Sequence, residues 1–180
     1  MLTTRDFDII EFVNNFKIAD TSTISNLFFP SLDSCRKRLK VIFDNNKLNR
    51  VRDNINCEYV YFIKKPKQYK HSLLVTKFYG YFKDKLNISK FIIEPTYGNI
   101  RPDAAFVYND NGVSKVGLLE VEISNKGFDW IKYDSFCNNG NFSEFMTVSP
   151  KVFIVGNKVN VPIESSFEYT ILNTDFQLRE

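Results

Sequence analysis

Residues 115–123, KVGLLEVEI, read as a strand that is apolar almost throughout, interrupted by Glu120 and Glu122. A run of that kind fits the centre of a sheet, covered on both faces. Strand side chains alternate, so Glu120 and Glu122 point to the same face. Two carboxylates on one face of a central strand are costly to bury unless a cation or a proton offsets them. Upstream, RPDA at 101–104 places Asp103 just after a proline, at the start of another strand, 103–108. FIIEP at 91–95 reads as a strand ending in a further acid, Glu94. Asp103, Glu120 and Glu94 are therefore candidate ligands for Mg²⁺ or Mn²⁺, ions that prefer oxygen donors. A metal held there would lower the pKa of an attacking water.

The elements around these acids have a definite order. SLLVTKFYGYFKDKL at 72–86 has apolar residues at helical spacing, and NDNG at 109–112 reads as a hairpin turn between the strands 103–108 and 115–123. A helix is predicted at 129–139, with strands at 151–156 and 167–172. Helix, three strands, helix, strand is the order of restriction-endonuclease-like folds, and the acids resemble the PD-(D/E)XK nuclease superfamily. There the Asp opens the second strand and an acid sits on the third, as Asp103 and Glu120 do here. The resemblance implies a lysine where this chain has Glu122. Three readings follow. The lysine has moved to Lys126 or Lys132; Glu122 is a further ligand; or catalysis is lost and Arg101 pairs with the acids of a surviving scaffold. The last is preferred, because Glu for Lys reverses the charge where a phosphate must approach. If the site is active, its catalytic set is Asp103, Glu120, Glu122 and Lys132.

The front of the chain is built differently. Residues 1–70 hold 13 Lys and Arg against 8 Asp and Glu, whereas 71–180 hold 11 against 13. This asymmetry points to two modules with different partners. In TTRDFDIIEFVNNF, Thr3 and Asp6 form a helix start, and Phe7, Ile10, Phe12 or Val13, and Phe16 give an apolar stripe. Asp20 or Thr21 caps a second helix that Pro30 ends. Ser31 opens a third, SLDSCRKRLKVIFDNN, with Leu32, Cys35, Leu39, Ile42 and Phe43 inward and Ser34, Arg36, Lys37, Arg38 and Lys40 outward. Strands at 48–51 and 59–63 flank an Asn-rich hairpin tip.

Three helices and a hairpin make the plan of a winged helix-turn-helix. The candidate double-stranded-DNA contacts are Ser34, Arg36, Lys37 and Lys40 on the third helix, Arg50 and Arg52 on the hairpin, and Lys64 and Lys65 beyond it. IKKPKQYKH at 63–71 is polar, basic and contains Pro66, so it reads as the hinge between a DNA-binding domain, 1–65, and a nuclease-like domain, 70–180.

Composition narrows the functional classes. With His71 the sole histidine and no CxxC, neither a zinc site nor histidine-based nucleophilic catalysis is expected. Cys35, Cys57 and Cys137 are odd in number and far apart, which fits a reducing compartment. No apolar run reaches membrane-spanning length, and MLTTRDFDII lacks the layout of a signal peptide, so a cytoplasmic protein is expected.

Taken end to end, the chain resembles the plasmid replication-relaxation family. The residues that carry this are Leu2, Thr3, Arg5 and Asp6; the basic helix segment Cys35 to Leu39; Tyr59 to Phe62; Arg101 to Ala104; Leu119 to Glu122; and Lys132 with Tyr133. That family has an acid at the position of Glu122. The resemblance implies DNA handling on a plasmid, phage or conjugative element, in replication, mobilisation or relaxosome assembly. A relaxase or replication initiator is the implied partner, and a homodimer is possible. The alternatives are a Mg²⁺-dependent DNA endonuclease and a winged-helix transcriptional repressor.

Overall fold

The Asp6 carboxylate accepts hydrogen bonds from the Thr3 backbone amide at 2.6 Å and the Thr3 hydroxyl at 3.0 Å, and so closes the start of α1 (Thr4–Phe16). The computed structural model describes residues 1–53, 57–123, 127–138, 140–160 and 165–179. The chain folds as two units, Met1–Tyr81 and Phe82–Glu180.

In the first unit, α1 is followed by β1 (Ala19–Asp20), α2 (Thr21–Phe28), α3 (Leu32–Asp44), β2 (Asn49–Arg52) and β3 (Tyr59–Phe62). The Asp20 side chain caps α2 by accepting from the Thr23 amide at 2.8 Å, and Ser31 caps α3 by accepting from the Ser34 amide at 3.4 Å. The three strands are antiparallel in the order β1-β3-β2. Ile9 and Val13 of α1, Ile24 of α2, and Cys35, Leu39 and Ile42 of α3 share one core with Tyr61. Two expectations change. Phe7 is 56% exposed, because Asp6 rather than Phe7 takes the inward position, where it meets Arg38. The residues read as a short break contain β1, which is too short to show a period. The centre of the predicted hairpin tip, 54–56, lies outside the described residues.

The helix read at 72–86 is α4 (Tyr69–Phe82), and it packs on the first unit. Leu73 joins Ile18, Val60 and Phe62. The Thr76 hydroxyl donates to the Ile18 carbonyl at 2.7 Å, and the Lys77 ammonium lies 3.1 Å from the buried Asp20 carboxylate. Tyr79 lies against Phe12 and Phe16. Gly80 permits this approach, since a Cβ there would come within 2.6 Å of the Thr23 methyl. The boundary between the units therefore follows Tyr81, beyond the basic segment read as the hinge.

The second unit is mixed α/β: β4 (Lys90–Ile93), β5 (Ala104–Asp110), β6 (Val113–Val121), α5 (Trp130–Asn138), a 3₁₀ turn (Asn141–Glu144), β7 (Lys151–Val155) and β8 (Tyr169–Leu172). Its five strands lie in sequence order, with β6 in the middle. β4-β5 and β5-β6 are antiparallel, whereas β6-β7 and β7-β8 are parallel. Asn111 and Gly112 both have positive φ, 52° and 87°, in the tight turn joining β5 to β6. The parallel pair needs a crossover, which carries α5. This arrangement is compatible with a restriction-endonuclease-like domain. Tyr133, Phe136 and Cys137 of α5 pack on the sheet face formed by Ala105, Leu118, Val152, Ile154 and Ile171. Among the described residues no helix is long and apolar enough to cross a membrane.

Candidate functional site

Strand register brings the acids together. Ala104 pairs with Leu119, so Asp103 leaves the end of β5 beside Glu120, and their carboxyl groups meet; Ile93 pairs with Ala104, so Glu94 stands opposite Asp103. The Glu94 amide donates to the Asp103 carbonyl and extends the β4-β5 ladder, whereas the Asp103 amide donates to the Leu119 carbonyl, one residue out of the β5-β6 register, each at 2.9 Å. Glu120 shares its face with Leu118 and so lies on the side covered by α5. Glu122 follows on the same face, its amide donating to the Val155 carbonyl at 2.8 Å.

The row breaks at Glu94. That residue has φ 49°, outside the extended region, and its carboxylate engages the Arg101 guanidinium at 2.8 Å. Arg101 thus pairs with one acid of the row, as the sequence reading allowed. Asp103 is held by the Val121 amide, which donates to its Oδ2 at 2.7 Å. Among the described residues no group of three or more His, Cys, Asp or Glu side chains is gathered closely enough to hold a metal ion. Asp103 and Glu120 supply oxygen donors of the right chemistry for Mg²⁺, and the predicted third ligand, Glu94, pairs with Arg101.

The sequence reading missed Tyr133. Its hydroxyl donates a short hydrogen bond to Glu120 Oε1 from α5. Burial is the main force on Glu120, and Asp103 and Glu122 add repulsion, so its carboxyl is pushed up to about 8. Burial and the adjoining Glu120 also raise the Tyr133 phenol above its ordinary value. Burial and the neighbouring charges thus both favour the neutral form of Glu120. The available signal was a tyrosine among the inward positions of the predicted helix, one residue past Lys132. Lys132 lies in the first turn of α5, where its backbone amide donates to Asp129 Oδ1 at 3.1 Å. Lys126 lies outside the described residues.

The first unit presents the basic residues. Arg36, Lys37 and Lys40 are exposed on α3, opposite its buried Cys35, Leu39 and Ile42. Arg36 lies 3.7 Å from Asp33, and Lys40 lies 2.5 Å from Asp44. Ser34 is exposed beside the cap, its hydroxyl accepting from Ser31 at 3.0 Å. Arg38, read as outward, instead reaches the fully buried Asp6, with Nε 2.6 Å from Oδ1, and bonds the Met1 carbonyl at 3.0 Å. Asp6 is depressed below the ordinary carboxylate range: bonds to Arg38 and Thr3 outweigh its burial. Arg50 is sandwiched between the rings of Phe43 and Tyr59, 4.2 Å from each centroid. That contact joins α3 to the hairpin. Arg52 and Lys64 are exposed, and the exposed Lys65 has its ammonium 5.2 Å from the Tyr69 ring centroid.

No family model matches the chain, and no curated protein matches it. Among solved structures the chain is similar to restriction endonuclease FokI, at 7% identity and a TM-score of 0.40, over 94% of this chain and 41% of that one.

Proposed function

We propose that the chain is a DNA-binding protein of a mobile element, acting in replication or mobilisation, whose second unit is a nuclease-like scaffold without catalysis. The first unit is read as a winged helix that docks α3 in the major groove, with Arg52 of the hairpin reaching the backbone. The observation that carries this reading is the exposed set Arg36, Lys37 and Lys40 on the side of α3 opposite the core. Their partners Asp33 and Asp44 are side-chain exposed at 86% and 48%. Such surface pairs are weak, so exchanging a carboxylate for a DNA phosphate costs little. The resemblance to the replication-relaxation family supplies the mobile-element context, with a relaxase or replication initiator as the partner class. Replacing Arg36, Lys37 and Lys40 together by Ala lowers duplex affinity about tenfold or more at moderate salt. Unchanged affinity removes α3 from the interface.

One observation favours a second reading, a metal-dependent endonuclease: the carboxyl groups of Asp103 and Glu120 lie within hydrogen-bonding reach of each other. Against it stand Glu122 in the lysine position and the pairing of Glu94 with Arg101. Incubation of supercoiled DNA with Mg²⁺ or Mn²⁺ decides between them. Nicking by the wild type that is lost in Asp103→Ala overturns the scaffold reading. A repressor role is separated by footprinting, which then finds a promoter site instead of an origin or transfer site.

A further inference from the structure

Lys17, Lys64, Lys65 and Lys67 line a pocket of about 390 Å³ where α1 ends and the chain leaves β3. The wall between them is uncharged: Val13, Ile63 and Pro66 are apolar, and Asn14 offers an amide. Val13 is fully buried and fixes the floor, whereas Ile63 is 42% exposed. Four lysines line one concavity, the Lys65 ammonium lying 5.2 Å from the Tyr69 ring centroid, and their stems lead to charges that favour an anion at its rim. An apolar floor is wasted on a bare ion but suits one that carries an uncharged body. The volume lies in the range of small-molecule sites, roughly 300–1,000 Å³.

The position of the pocket argues against simple extension of the DNA face. β1 pairs with β3 through Ala19 and Tyr61, so Lys17 and Ile63 lie together beyond one end of that ladder. The hairpin tip enters β3 at Tyr59, the opposite end. The four residues of β3 separate the two by about 13 Å. The convex backbone of a duplex also does not fill a concave site. The last carbonyls of α1 carry partial negative charge and repel an anion from the Asn14 side. An occupant is therefore oriented, with its charge toward Lys64 and Lys67 and its neutral part toward Val13 and Asn14. The Asn14 amide can donate and accept, as a base edge or sugar hydroxyl requires.

We propose that this pocket binds a nucleotide-sized organic phosphate at a site separate from the α3 face. Calorimetric titration of the full chain with ADP, GDP, CDP and UDP tests it, with pyrophosphate and the four nucleosides as fragments. At least one nucleoside diphosphate is expected to bind about tenfold or more tightly than pyrophosphate or its own nucleoside. Lys64→Glu combined with Lys67→Glu is expected to abolish that binding, and Lys158→Glu, a charge reversal in the other unit, to leave it unchanged. Thermal melting of the double variant checks that it is folded. Lys64→Gln with Lys67→Gln replaces it if it is not, and is expected to weaken binding about tenfold. The proposal is overturned if none of the four diphosphates binds, if pyrophosphate binds as tightly as they do, or if the folded variants bind normally. Displacement of the bound nucleotide by duplex DNA overturns the separateness of the site.

Discussion

Glu120 is the residue whose ionisation the second unit opposes most plainly. Its folded value of about 8 lies above the ordinary 4.5, so the folded chain keeps a proton that the unfolded chain releases. The stability contributed by that proton is fully present below the ordinary value and is lost as pH rises through about 8. Glu120→Gln retains an oxygen to accept from Tyr133 and has no proton to lose. We therefore expect the melting temperature of the wild type to fall between about pH 5 and pH 9 by more than that of Glu120→Gln. Parallel melting curves for the two proteins across this range would refute the protonated pair. The nearness of Asp103 and Glu120 follows from the strand order, which sets the start of one strand beside the end of the next. The fate of Glu94 was not legible, since nothing in FIIEP announces a glutamate with φ 49°. Arg38 was misplaced for a related reason. A basic side chain on a helix reads as solvated until a buried acid from another helix, here Asp6, claims it.

At the scale of elements, β5 and β6 are matched by more than their hydrogen bonds. Phe106 stands opposite Gly117, and its ring lies over the glycine backbone, where a side chain would otherwise stand. The same ring contacts Phe91 and Phe153 at centroid distances of 5.7 and 5.3 Å, so it stitches β4, β5 and β7 together across the glycine. A Cβ at Gly117 would lie 2.3 Å from Phe106 Cζ, and the ring has stacked neighbours where it would need to move. Gly117→Ala is expected to cost about 1–3 kcal/mol, the range for overpacking a well-filled core. Chemical denaturation measures it as a lower midpoint with an unchanged slope. A midpoint equal to the wild type would show that the ring is free to shift. Strands 103–108 and 115–123 and their turn were readable because β-branched and aromatic runs bracket an Asn-Gly pair. The role of Gly117 was not, because the aromatic that needs it lies eleven residues away in sequence, opposite it in the ladder.

For the molecule as a whole, the division of the chain is a matter of which core claims α4. The basic segment with Pro66 has the composition of a hinge, and composition alone places the boundary there. The packing of the following helix decides otherwise. Asp20 is 1% exposed and spends one oxygen capping α2, so its other oxygen depends on the Lys77 ammonium. The Ile18 carbonyl, in an equally buried stretch, receives the Thr76 hydroxyl. Leu73 covers Ile18, Val60 and Phe62. A fragment ending at residue 65 therefore exposes three apolar side chains and strips a buried carboxylate of its counter-charge, a loss that a small core cannot absorb. Such a carboxylate was not recognisable from sequence, where Asp20 reads only as a helix cap. We expect the fragment 1–82 to unfold cooperatively on heating and to retain the duplex affinity of the full chain. The fragment 1–65 is expected to lack a cooperative transition or to melt about 10 °C lower or more, since about 2 kcal/mol already shifts a domain of this size by that amount. Circular dichroism melts of the two fragments, followed by anisotropy titration with labelled duplex, make the comparison. Equal melting of both would return α4 to the second unit and restore the hinge to the basic segment.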